Sequence, residues 1–394
     1  MVTGCSGTAT PPAETTISAS LQQSTAPSGT TSTSTNGSSA AASSAASASP
    51  GESAPSTDVP TIAPTAAGEL TVSTVTTGLA VPWGLAFLPD GTAVISGRDD
   101  GSISTLDAAT GAVTRIGTVE GVVHGGEGGL LGIAVSRAFA QDGLLYVYFT
   151  GANGNQIDTV RLGDGAIDDQ RLLLDGIPSA GIHNGGRLLF GPDGLLYVGT
   201  GDAGERPNAQ DTGSLGGKIL RLSPDGSPAP GNPLPDAPYV YSYGHRNVQG
   251  LAFDDQGRLW AAEFGQNTWD ELNLITPGGN YGWPEVEGQQ PGDGFVEPER
   301  VWSTGDASPS GIAYWQGSIW MAGLRGERLW QIPIVDGDAA TPTGEPIAQL
   351  TDAYGRLRTV AVAPDGSLWV TTSNTDGRGD VRDGDDRILR IESS

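Results

Sequence analysis

The sequence predicts an all-β protein: a six-bladed β-propeller of four-stranded antiparallel blades, preceded by a disordered N-terminal tether. Two observations carry this. First, one unit returns six times: an apolar strand, a two-residue turn ending in Gly, a second strand rich in Val, Trp and Tyr, and a third short strand. The turns are Asp90-Gly91, Asp142-Gly143, Asp193-Gly194, Gln256-Gly257, Gln316-Gly317 and Asp365-Gly366. Such pairs between apolar runs are a strong hairpin signal, because Gly tolerates the positive φ of a tight turn. Second, the units recur about every 45–65 residues, a spacing that suits propeller blades.

The elements follow in chain order. Residues 6 to about 66 are dominated by Ser, Thr, Ala, Pro and Gly, with no Lys, Arg or aromatic residue. Such a segment buries too little apolar surface to offset its ordering entropy, so residues 1–66 read as a tether and 67–394 as the propeller. Cys5 is the only cysteine, so no intrachain disulfide forms. Its context, Val2-Thr3-Gly4-Cys5 ahead of a long tether, resembles the end of a bacterial lipoprotein signal, although the usual charged and apolar regions upstream are missing. This predicts an exported cell-envelope protein, lipid-anchored through Cys5 to the outer face of the cytoplasmic membrane. No stretch of about 20 apolar residues is present to form a transmembrane helix. A strand near Leu70–Thr76 is expected to pair into the blade holding Arg387–Ile391 and close the ring.

The third unit shows the pattern most clearly. Its strands read Arg187–Phe190, Leu195–Gly199 and Lys218–Leu222, with the turn at Asp193-Gly194. In a blade the first strand lines the central channel. The turn lies at one end, so the segment before strand one and the loop after strand two share the other end. Polar residues gather there. His124 and Glu127 precede the second repeat; His183, Asn184 and Arg187 the third; His245, Arg246, Asn247 and Gln249 the fourth. Ser308 and Ser310 precede the fifth, and Arg356 and Arg358 the sixth. Loops after strand two add Asp202, Glu205, Glu263, Gly265, Gln266, Arg325 and Asp376. All three histidines fall at equivalent positions, which loop polarity alone does not explain.

The net charge of −25 excludes a nucleic-acid partner and an anionic membrane surface as ligand, since both call for a basic face. Membrane association is then expected only through the lipid anchor. Lys218 is the single lysine among 20 cationic residues.

Three longer segments carry a family resemblance. Ile182-His183-Asn184-Gly185-Gly186-Arg187-Leu188 runs on to Gly191-Pro192-Asp193-Gly194 and Gly199-Thr200-Gly201-Asp202. The second segment is Tyr243-Gly244-His245-Arg246-Asn247-Val248-Gln249-Gly250-Leu251. The third joins Asp270-Glu271-Leu272-Asn273-Leu274-Ile275 to Gly279-Asn280-Tyr281-Gly282-Trp283-Pro284. Together these resemble the PQQ-dependent soluble glucose dehydrogenases and, more broadly, the glucose/sorbosone dehydrogenase family, over about residues 70–392. The resemblance implies a six-bladed propeller, in agreement with the repeat count. It implies PQQ and Ca²⁺ as cofactors, a small sugar as substrate, and oxidation of an aldose at C1 to its lactone. The electron acceptor stays open between a quinone and a cytochrome.

The resemblance also implies roles. His183 stands where the family has its general base; imidazole suits removal of a hydroxyl proton while hydride leaves the same carbon. Arg246, Arg356 and Arg358 match its cofactor-binding arginines, and Asn247 the neighbouring amide; guanidinium forks suit a planar tricarboxylate. Gly265 and Gln266 occupy the places whose carbonyls hold Ca²⁺, a hard cation that takes oxygen ligands. Glu127 and Asp202 are the candidate substrate contacts. The chain departs from the pattern in two ways. Arg325 stands where the family has a cofactor-binding Lys, and Glu127 and Ile182 replace polar residues that help bind glucose. Glucose is therefore a poor fit, while another aldose is not.

Two other functions stay open. One is a non-enzymatic sugar- or ligand-binding propeller that has lost the cofactor. The other is a metal-dependent lactonase recruiting Glu127, Asp202 and Glu263. Five aspartates between Asp376 and Asp386 read as a solvated loop before they read as a Ca²⁺ site. Arg378-Gly379-Asp380 matches an adhesion tripeptide but is too short to carry an argument.

Overall fold

The computed structural model describes residues 69–163, 165–290, 294–335 and 342–393. The proposed tether and Cys5 lie outside these residues. Six four-stranded antiparallel sheets form, each meandering outward from an inner strand. The inner strands are Pro82–Phe87, Leu130–Val135, Arg187–Phe190, Val248–Phe253, Pro309–Trp315 and Leu357–Val362. They neighbour one another in a closed ring, and blades one to six are counted from them.

Every expected turn joins the first and second strands of a blade. The six turn glycines have φ between 63° and 92°, the left-handed region that favours Gly. Three residues beyond each turn glycine comes a buried side chain of the second strand: Val94, Tyr146, Tyr197, Trp260, Trp320 or Trp369. The indole N–H groups are tied down locally. Trp260 Nε1 donates to Asp254 Oδ2 at 2.9 Å, Trp320 Nε1 to the Trp315 carbonyl at 3.1 Å and Trp369 Nε1 to Ser367 Oγ at 3.1 Å. Each large ring thus fills its blade without leaving a buried donor unpaired.

The fourth strand of blade six comes from the other end of the chain. Leu70–Thr76 pairs antiparallel with Ile388–Ser393, with Val72 opposite Ile391 and Thr74 opposite Leu389. As expected, the N-terminal strand pairs into the blade that holds Arg387–Ile391, whose strand runs Ile388–Ser393. Leu70 and Val72 pack on the core of that blade beside Leu389 and Ile391.

Lys218 is fully buried and donates to the carbonyls of Asn208, Ala209 and Gly216 at 2.5, 3.1 and 2.7 Å. It pins the loop that follows Asp202 onto blade three.

Closure generates a prediction. Removing the chain through Thr76 exposes Ile388–Ser393 as a free edge. Size-exclusion chromatography is expected to show aggregates and thermal unfolding a lower Tm. A monomer with unchanged Tm would show that closure contributes little.

Candidate active site

The segments before strand one and the loops after strand two converge on a cavity of about 420 Å³ at one end of the channel. Its wall includes Glu127, His183, Arg246, Asn247, Gly265, Gln266, Arg325, Arg356 and Arg358. All the sequence-predicted site residues except Asp202 therefore meet on one surface. Asp202 is fully buried and sits behind His183, not on the wall.

His183 is held from three sides. Its Nδ1 lies 2.6 Å from Asp202 Oδ1. Its backbone N–H donates to Glu127 Oε2 at 2.9 Å, and its carbonyl accepts from Ala203 N at 3.2 Å. Its φ is 55°, which a non-Gly residue adopts only when its surroundings impose it. Asp202 is fixed in turn: Trp283 Nε1 donates to its Oδ2 at 2.8 Å and Gly204 N to its Oδ1 at 2.7 Å. Burial pushes the Asp202 carboxyl up, but the hydrogen bond and charge of His183 and the Gly204 and Trp283 donors outweigh it, so it is held below the usual carboxylate range. A carboxylate at Nδ1 keeps that nitrogen protonated and leaves Nε2 as the basic atom.

The second histidine is built differently. His245 is fully buried, with Nδ1 2.7 Å from Glu263 Oε1 and Nε2 2.8 Å from Ser242 Oγ. Its ring stacks on Tyr281 at 4.6 Å. Glu263 Oε2 also accepts the Arg246 backbone N–H at 2.7 Å. His245 thus anchors the segment that presents Arg246, Asn247 and Gln249. The Arg246 guanidinium lies over the Trp283 ring at 5.4 Å. Asn247 Oδ1 accepts from Gly185 N at 2.9 Å. His124 lies outside the cavity wall, with Nδ1 3.1 Å from the Gly128 carbonyl.

Arg356 and Arg358 share one carboxylate. Asp376 Oδ2 accepts from Arg356 Nη2 at 2.9 Å and from Arg358 Nη2 at 3.1 Å. Burial pushes Asp376 up, yet Arg358 and then Arg356 outweigh it and hold it below its ordinary range. Burial pushes Arg358 down to about 10, against the pull of Asp376. Arg325 is exposed on the rim.

Gly265 and Gln266 belong to a loop folded around a carboxylate. Glu287 Oε1 accepts the N–H groups of Gln266, Asn267, Thr268 and Trp269 at 2.8–3.2 Å. In a trans peptide the C=O opposes the following N–H. The carbonyls of Gly265 and Gln266 therefore point away from Glu287, and both residues border the cavity. Only Gly fits at 265, because a Cβ would lie 1.6 Å from the Trp269 carbonyl oxygen. Asp270 Oδ1 holds Gly265 N at 2.9 Å, and its Oδ2 holds Ser308 N at 2.6 Å. Burial pushes the Asp270 carboxyl up to about 6, despite those two donors.

Several expectations change. Asp202 orients His183 and does not face the cavity. Glu127 lines the cavity, but its oxygens are engaged by His183 N and by Arg378 Nη1 at 2.8 Å. Glu263 is buried against His245, and among the described residues no three metal-ligating side chains cluster, so Glu127, Asp202 and Glu263 do not form a lactonase-type centre. The 376–386 run is mixed: Asp380 and Asp383 are exposed, but Asp376 clamps two arginines, and buried Asp386 accepts from Thr372 Oγ1 and Asn374 N at 3.0 and 2.6 Å. Arg378, set aside in its tripeptide, borders the cavity. Trp83 and Arg98 also line it. Arg98 directly follows strand two of blade one, in the loop that carries Asp202 in blade three and Asp376 in blade six, and that repeated loop was the available signal.

Asp376→Asn tests the shared clamp. It is expected to cost about 3–5 kcal/mol at neutral pH, because two buried guanidiniums lose their counter-charge. A carboxyl with a depressed folded pKa stabilises above its unfolded value and loses that contribution as pH falls through the folded value. The Tm gap between wild type and variant should therefore shrink as pH falls below the ordinary carboxylate range and through the depressed folded value. A gap independent of pH would show that charge is not what Asp376 supplies.

Comparison with known proteins agrees with this geometry. The family description "Glucose / Sorbosone dehydrogenase" matches residues 79–389. Aldose sugar dehydrogenase YliI of Escherichia coli is 31% identical over 329 residues, 75% of this chain and 88% of that protein. Quinoprotein glucose dehydrogenase B of Acinetobacter calcoaceticus is 32% identical, over 56% of this chain and 54% of its own length. The PQQ-bound aldose sugar dehydrogenase from Streptomyces coelicolor superposes with a TM-score of 0.81 at 56% identity, covering 84% of this chain and 100% of that one. With the propeller, the shared motifs and the cavity in agreement, the chain belongs to the glucose/sorbosone dehydrogenase family of sugar-oxidising enzymes.

Proposed function

We propose that this protein is a PQQ- and Ca²⁺-dependent dehydrogenase that oxidises an aldose at C1 to its lactone, with His183 as the general base. The observation that carries the reading is the meeting of an Asp202-oriented imidazole and a cluster of guanidiniums on one cavity wall. The residues fit a planar tricarboxylate: Arg246, Arg325, Arg356 and Arg358 border the same space, and Arg325 has no protein partner among the described residues. Outward carbonyls of Gly265 and Gln266 suit Ca²⁺. The cofactor would supply the hydride acceptor, polarised by the ion.

The protein's own part is proton removal and orientation. His183 Nε2 takes the C1 hydroxyl proton, and Asp202 stabilises the imidazolium that forms. Trp283 ties Asp202 and Arg246 into one unit, so base and anion clamp keep a fixed spacing. Next to His183 in the chain stands Ile182, 43% exposed, where the resemblance implies a polar residue. This favours an aldose other than glucose, and a sugar panel after reconstitution identifies it.

Reconstitution with PQQ and millimolar Ca²⁺ should give aldose-dependent dye reduction that a chelator removes. His183→Ala should lower kcat by about 10²–10⁴-fold and leave PQQ binding nearly intact. Asp202→Asn should lower kcat by about 10²-fold or more, through a misplaced ring. Turnover that survives His183→Ala but not His245→Ala would overturn the assignment of the base.

The clamp is tested by binding. Arg358→Ala should weaken PQQ binding by about 1.5–3 kcal/mol in calorimetry, the loss of a charge-assisted bond. If the intact protein binds no PQQ in millimolar Ca²⁺, the dehydrogenase reading falls and a ligand-binding propeller replaces it.

A further inference from the structure

The channel has a second cavity, of about 370 Å³, bounded by side chains from all six inner strands and distinct from the site above. Its side chains are mostly apolar, with Phe87, Val135, Phe190, Phe253 and Val362 among them, and Thr359 and Tyr314 add hydroxyls. These lie toward the turn ends of their strands, so this funnel opens opposite the candidate active site. One charged residue borders it among the described residues: Arg187, the first residue of the third inner strand.

Arg187 is buried, 9% exposed, and is used by no step proposed for the upper site. Its Nε donates to the Gln249 carbonyl at 2.8 Å and its Nη2 to Thr359 Oγ1 at 3.2 Å. Its guanidinium lies over the Trp83 ring at 4.4 Å. No carboxylate pairs with it among the described residues, and Nη1 has no protein partner there. The charge that acts on it is Arg358, of like sign. A buried cation with only neutral acceptors is costly until a counter-charge arrives.

We propose that this lower funnel is a binding site for an amphipathic monocarboxylate, with the carboxylate on Arg187 and the aliphatic tail along the inner-strand wall. The wall decides the class. A sugar or nucleotide needs many polar partners, and beyond Arg187 only the Thr359 and Tyr314 side chains offer hydroxyls along a wall otherwise built of apolar side chains. A cation would meet Arg187. A bare inorganic anion would satisfy the guanidinium and leave the apolar wall wet, whereas a tail removes that surface from water. The inference does not rest on the reading of the upper site, and its test needs no catalytic activity.

Calorimetry on the full chain with octanoate tests it, with acetate, 1-octanol and sodium chloride as comparisons. Octanoate should bind at one site, at least about tenfold more tightly than acetate or octanol. Affinity should rise about threefold to fourfold per CH₂ from butanoate to octanoate. Val362→Asp puts a like charge at the mouth, where Val362 is 41% exposed, and should weaken octanoate without changing sugar oxidation. Arg187→Met should abolish binding; should that variant not fold, Val362→Asp decides. Equal binding of octanol would show an apolar pocket only. Equal binding of acetate or chloride would show an adventitious anion only. Either result, absence of octanoate binding, or octanoate binding unchanged by Val362→Asp overturns the proposal.

Discussion

The antiparallel pairing of Leu70–Thr76 with Ile388–Ser393 is the constraint on which the axis depends. Each blade could form as a local meander, since its hairpins are short-range. The cavity could not, because its wall takes Trp83 and Arg98 from blade one, His183 from the segment entering blade three and Arg358 from blade six. Polar contacts cross the seam between the last blade and the first two. Arg98 Nη2 donates to the Asp376 carbonyl at 3.4 Å, and Arg378 Nη1 reaches Glu127 at 2.8 Å. Closure and site assembly are thus one event: the pairing that hides two sheet edges also brings the Asp376 clamp beside Arg98.

Charge is distributed against the protein's average. The chain carries −25 overall, yet six arginines border the cavity against Glu127, Asp270 and Asp376. Gathering guanidiniums in a partly buried space is unfavourable, and the structure offsets it in specific ways. Asp376 is shared between Arg356 and Arg358, and Trp283 lies beneath Arg246. The residual positive field inside an acidic shell favours an anion over other small molecules of similar size.

Much of this was legible because the repeat is a physical device. Gly at each turn, with an aromatic or branched residue three positions later, fixes the hairpin and the blade core together, so six turns located six blades. Equivalent positions then sorted His183, Arg246, Arg356 and Arg358 onto one face. The pairing at closure was legible, but the closing strand runs Ile388–Ser393 where the sequence marked Arg387–Ile391, since Arg387 and Glu392 lie at strand margins where side-chain pattern is weak. Asp202 was misplaced for a different reason. Sequence position shows that it follows strand two, but not that Trp283 of a later segment pulls its carboxylate behind His183. Glu287 left no readable signal, because its role is to accept four backbone N–H groups from a distant loop, which no side-chain pattern records.

The backbone at His183 shows why such details escape a one-dimensional reading. His183 and Ala203 both adopt left-handed φ, 55° and 56°, at a cost of about 1–3 kcal/mol each. Neither is Gly, so sequence alone marks neither position as special. They face each other: Ala203 N donates to the His183 carbonyl, while Glu127 takes the His183 N–H from the neighbouring blade. Relaxing His183 to an ordinary φ would turn its N–H away from Glu127 and its ring away from Asp202. The strained backbone is thus held by the same contacts that aim the imidazole. Glu127, marked as a substrate contact, borders the cavity and also accepts the main-chain N–H of His183, the proposed base.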